Sequence, residues 1–147
     1  MAEPRAIVPE KGTRPGKNST GNDIAKHVFV ALDPADTVQD PPLVELPQSA
    51  GVKAYGVVVS STVRLGVTPD VGIPDGQIGD IQVEGRVPVL VGAGGVTIGD
   101  NLAVTTAGAV VLAVTGDVVV AKALTSAGAG EETEAELVGA AQSFIVP

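Results

Sequence analysis

From Asp80 to Val91, apolar and polar positions alternate with a period of two. Ile81, Val83, Val87, Val89 and Val91 take odd positions, with Gly85 among them, while Asp80, Gln82, Glu84, Arg86, Pro88 and Leu90 take even ones, so the alternation holds for most of the stretch. A strand turns successive side chains to opposite faces, so the pattern predicts one half-buried strand over 80–91. Pro88 has no N–H to give to a ladder, which puts the strand at a sheet edge or bends it there. Shorter apolar runs predict further strands over His27–Leu32, Val52–Ser60, Asn101–Val104, Ala109–Val114 and Asp117–Leu124. Gly56 interrupts the second of these and marks a bulge or a close backbone approach. Leu43–Leu46 lies between Pro41-Pro42 and Pro47 and reads as an edge strand. The Glu- and Ala-rich stretch Glu131–Ala141 competes as a helix, but Glu132, Glu134 and Glu136 alternate with Thr133, Ala135 and Leu137. We therefore expect a strand over Glu134–Val138.

Turn signals separate these runs at Thr68-Pro69-Asp70 through Pro74-Asp75-Gly76, Gly99-Asp100, Ala107-Gly108, Thr115-Gly116 and Ser126–Gly130. Short strands at such spacing predict a mainly β protein, a small β-barrel or a sandwich, rather than βαβ units. Composition agrees. Hydrophobic residues reach 44%, yet the aromatics are only Phe29, Tyr55 and Phe144. Valine supplies the apolar surface, and β-branched side chains suit a pleated sheet. A chain of 147 residues fits one domain and needs no staple to fold. With no cysteine, disulfides, thiolate metal sites and a cysteine nucleophile are all excluded.

Residues 1–26 carry Pro4, Pro9, Gly12, Pro15, Gly16 and Gly21 and leave no window for a periodic element. They are expected to form a flexible, irregular N-terminal arm, ordered only against a partner, ahead of a β-rich body over 27–147. A second irregular stretch is expected over 33–51. Charge divides similarly. The net charge is −8, but residues 1–26 hold five basic residues against three acids, and the rest of the chain four against fourteen. An acidic body repels a phosphate backbone, and the stacking aromatics of single-strand binders are missing, so nucleic acid is not an expected partner. No apolar run approaches the length of a membrane span. The opening residues lack a signal-peptide pattern, and synthesis in the cytoplasm is expected.

No constellation points to catalysis. Gly92-Ala93-Gly94-Gly95-Val96-Thr97-Ile98-Gly99 resembles a phosphate-cradling loop, but a strand is predicted after it and no Gly-Lys-Ser/Thr follows. A hairpin loop is the simpler expectation. His27 is the sole histidine, so it cannot build a histidine metal site, and it reads as a strand-end residue. Asp70, Asp75 and Asp80 recur every five residues and offer carboxylates to Ca²⁺, but not at EF-hand spacing, and turn formation explains them equally well. Asn18-Ser19-Thr20 fits a glycosylation sequon. No catalytic, cofactor or metal residues are assigned.

One segment resembles a known family. Asp75-Gly76-Gln77-Ile78-Gly79-Asp80-Ile81-Gln82-Val83-Glu84-Gly85, Val87-Pro88-Val89, Ile98-Gly99-Asp100-Asn101-Leu102 and Thr106-Ala107-Gly108-Ala109-Val110 run in order. Val120-Ala121-Lys122-Ala123-Leu124 and Ala127-Gly128-Ala129-Gly130-Glu131 follow them. Together they are similar to the capsid decoration (cement) proteins of tailed bacteriophages, although a glycine expected near position 121 is absent. The resemblance covers Gly76–Gly139, under half of the chain. It implies a β-barrel or β-tulip-like domain that forms a homotrimer, binds the major capsid protein on the outer surface of the virion and stabilises the expanded shell. Arg5, Lys11, Arg14 and Lys17 would then meet acidic groups on the partner. Two alternatives stay open: another phage structural component, such as a head fibre or tail accessory, and a small carbohydrate- or ligand-binding β-domain, for which the aromatics are few.

Overall fold

The computed structural model describes residues 12–34, 41–61, 72–139 and 143–147, and among them there is no helix. Five strands close a barrel: β1 (Thr13–Asn18), β2 (Phe29–Leu32), β3 (Leu43–Glu45), β4 (Gly56–Ser61) and β5 (Ile78–Gln82), in the order β1-β3-β2-β4-β5. A second sheet contains β6 (Gly85–Leu90), β7 (Asn101–Val104), β8 (Val110–Leu112), β10 (Ala121–Ala123) and β11 (Glu132–Leu137), in the order β6-β11-β10-β7-β8. Its two outer strands come together where Val91 bridges Val110, so this sheet also curls towards closure. The remaining pair is β9 (Val118–Val119) with β12 (Phe144–Ile145). The expected mainly β fold with a small barrel is what the chain forms.

The strand expected over 80–91 is two strands. Gly85 takes φ +88°, and the chain leaves the barrel as β5 and enters the second sheet as β6. The alternation survives the bend because apolar odd positions on both sides of it meet a core: Ile81 lies in the barrel, while Val87, Val89 and Val91 lie in the second sheet. β6 is an outer strand, which is where Pro88 is tolerated. β11 forms as a strand whose Thr133, Ala135 and Leu137 are buried, so alternation outweighs the helical preference of Glu and Ala.

Three expectations are corrected. Irregular structure does not hold from Thr13 onward, because β1 pairs with β5 from Thr13↔Gln82 to Lys17↔Ile78 and runs parallel to β3 at Lys17↔Leu43. Pro15 is accommodated because its nitrogen points to the β3 side, beyond the end of that ladder. Ile24 is buried beside Ile73 and joined to it by reciprocal backbone bonds, so the body begins well before residue 27. Residues 1–11 lie outside the described residues. Second, β3 is not an edge strand, since it lies between β1 and β2 in a closed barrel. Third, the glycine-rich loop after β6 is not a hairpin. It joins β6 to β7, which are not neighbours, and Val96 pairs with Ala127 of the β10–β11 turn. At Gly56 the chain makes the expected close approach: an added Cβ would strike the carbonyl oxygen of Gln82. The bulge falls two residues further on, between Val58 and Ser60.

Asn18 shows how the barrel end is tied. Its side chain is 1% exposed. Its Nδ2 donates to the carbonyls of Asn22 (2.6 Å) and Ile73 (2.9 Å), and its Oδ1 accepts from the N–H (2.9 Å) and hydroxyl (2.8 Å) of Thr20. The sequon asparagine is thus a buried structural node. A buried amide with four bonds leaves several polar groups unsatisfied when removed. Asn18→Ala is expected to lower the unfolding free energy by about 2–3 kcal/mol, measured by urea denaturation, with Ser19→Ala as a milder control.

Candidate attachment face

The barrel and the second sheet meet along a seam. Phe29 and Val57 leave the barrel side and pack with Val87, Val89, Leu102, Val104 and Val120. The main chain crosses here too. The Phe29 N–H donates to the Gly108 carbonyl (2.8 Å), the Leu90 N–H to the His27 carbonyl (2.9 Å), and the Gly51 N–H to the Val104 carbonyl (2.9 Å). His27 lies at a turn just before β2 rather than in the strand, and holds a left-handed φ of 67°. Its Nδ1–H donates to Oε2 of Glu132 on β11 at 2.6 Å. The lone histidine therefore clasps the barrel to the second sheet.

Apolar side chains also remain at the surface. Leu32, Ile98, Leu112, Val114, Phe144 and Ile145 are each about half exposed or more. At the end of β2, Ala31 and Leu32 separate from the chain entering β4, and an open groove of about 350 Å³ forms between them and Lys53, Ala54 and Tyr55. A small neighbouring hollow shares Lys53, Ala54 and Tyr55 with the groove and is otherwise lined by residues such as Phe29, Val120, Leu137 and Ser143.

Of the basic residues expected to meet a partner, Arg14 and Lys17 are exposed on β1, while Arg5 and Lys11 lie outside the described residues. The Arg14 guanidinium is near Tyr55: burial pushes the phenol pKa above its ordinary 10.0, and the Arg14 charge pulls the other way. Asp70 also lies outside the described residues. Asp75 holds a turn, its carboxylate accepting from the Gly21 N–H (3.0 Å) and its own N–H donating to Asp23 (3.0 Å), and Asp80 belongs to β5. Among the described residues no group of three or more acids, histidines or cysteines is placed to hold a metal ion. The groove escaped the sequence because its lining comes from two segments, Ala31-Leu32 and Lys53–Tyr55, that converge only in the fold; exposed Leu32 inside an apolar run was the nearest signal.

No family model matches the chain, and no curated protein sequence matches it. A solved structure does. The fold is similar to that of the N base of head fiber gp8.5 of bacteriophage phi29. The match has a TM-score of 0.61 and covers 85% of this chain and 92% of that one, at 13% sequence identity. The likeness thus spans the barrel and the second sheet together rather than one shared motif.

Tyr55 is the only tyrosine, so its phenolate absorbance reports this corner of the groove directly. The midpoint is expected above 10.0, and Arg14→Ala should move it higher still, by removing the one favourable charge. Because the folded pKa is raised, the contribution to stability is complete below the unfolded value and is lost as pH rises through the folded one, that is, above about pH 10. A lower midpoint in Arg14→Ala would contradict this placement.

Proposed function

We propose that the protein is a structural component of a phage virion, attached to the outside of the head as a fibre-base or decoration module, and not an enzyme. The observation that carries this is the match of fold over almost the full length of both chains with a head-fibre base. It favours a fibre base over free-standing cement, while the motifs between Gly76 and Gly139 agree with either. The exposed apolar groups suit a body that is covered in its working state. Its partners under this proposal are the major capsid protein and further copies of itself in a homotrimer, with no cofactor.

Copies bound to one state of a shell stabilise it by RT ln(1 + [L]/Kd), about 2.7 kcal/mol per site at a hundredfold excess over Kd. Weak contacts repeated over a shell therefore suffice, in keeping with a surface that lacks tryptophan. The purified protein should co-sediment with expanded heads of its own phage and bind precursor heads weakly. A rise in head disruption temperature would add the cement role to simple attachment. Binding to tails alone, or to neither, would overturn the proposal. Light scattering should report three times the 14.6 kDa chain mass; a monomer at micromolar concentration would remove the trimer.

A further inference from the structure

We propose that the groove beside Leu32 is a strand-docking slot that takes an extended segment of a partner protein carrying an apolar side chain next to a carboxylate. This goes beyond head attachment and can stand or fall separately from it.

The slot has an open main-chain edge. Val28 and Val30 turn their carbonyls towards β4, where they accept from the N–H groups of Val58 (3.0 Å) and Tyr55 (2.8 Å). Towards β3, the Asp33 N–H donates to Leu43 (3.0 Å), so Asp33 and, two residues back, Ala31 face that ladder. Alternation then points the N–H and C=O of Leu32 to the β4 side, where the chain at Lys53-Ala54 has already peeled away. Such an edge is what an added strand pairs with.

The chemistry of the lining selects the strand. Ala31, Leu32, Ala54 and the Tyr55 ring give an apolar floor, and Leu32 is 50% exposed. Lys53 brings a cation to the groove in a body with a large excess of acids. That favours a carboxylate on the incoming segment. An extended peptide supplies both main-chain partners for Leu32 and a carboxylate for Lys53, which a simple anion does not.

The test uses the full-length protein on an array of short peptides that each combine one apolar residue (Val, Ile, Leu or Phe) with one charged residue (Asp, Glu, Lys or Arg). Acidic–apolar peptides should bind at least about tenfold better than basic ones. N-Methylation of their backbone amides should abolish binding. Lys53→Glu changes an exposed side chain, so it should leave the melting temperature unchanged and reverse the charge preference. Amide resonances of Ala31, Leu32 and Lys53–Tyr55 should shift with the best peptide. Binding to none of the peptides, equal binding of basic ones, or shifts confined to β8 or β12 would overturn the proposal. Slot resonances that broaden with protein concentration alone would also overturn it, by giving the slot to a second copy.

Discussion

Phe29 is the largest fully buried side chain among the described residues, and it lies where the barrel and the second sheet share their packing. A chain with so few aromatics must fill its interior with valine, isoleucine and alanine, which reach only a short way. The five-stranded barrel and the second sheet each carry a core. Barrel residues Ile24, Val28, Val30, Val44, Val58, Ile73 and Ile81 form one compact cluster, and the other joins second-sheet residues such as Val87, Val89, Leu102 and Val104 to Phe29 and Val57, which reach in from the barrel. Burial at about 25 cal/mol per Å² is effective only where surfaces fit closely, so the seam must bring backbone within touching distance. Gly108 permits this: at φ +81°, an added Cβ would lie 2.6 Å from the Phe29 carbonyl oxygen. Tight docking of the 105–109 turn on β2 is therefore reserved for glycine.

Fixing the two sheets together leaves a rigid body with apolar groups at its margins. Along β11 the outward Glu136 faces Arg86 on β6 and Lys122 on β10, a cross-strand row of opposite charges that suits a solvated face. The groove beside β2 is of a different character, being apolar with Lys53 at its rim. A wet face of mixed charge and an apolar margin thus lie on one body.

Period-two alternation made much of this fold legible. The buried identities of Ile81, Val87 and Val89 follow from it directly, as does a strand near Glu134–Val138, which forms over Glu132–Leu137. Alternation does not say which core a residue faces, and so the passage from β5 to β6 was hidden: the pattern runs on unbroken while the chain changes sheets. β1 was hidden for another reason. Pro15 and Gly16 signal a loop by propensity, but propensity yields when the proline nitrogen faces the β3 side before the ladder there begins and the glycine is buried against neighbouring strands. Of the basic residues, Arg14 could be picked out by type but not by place, because its neighbour Tyr55 is 41 positions away in the sequence. Charge clusters assembled by topology leave no local trace.

The central claim is that this two-sheet body is a module on the outside of a phage head. A cryo-electron microscopy reconstruction of the phage that encodes the chain tests it most directly. The account predicts density on the outer head surface that accepts the closed barrel and the curled second sheet as one rigid unit. Density for the body inside the head or on the tail alone, or its absence from the particle, would contradict it.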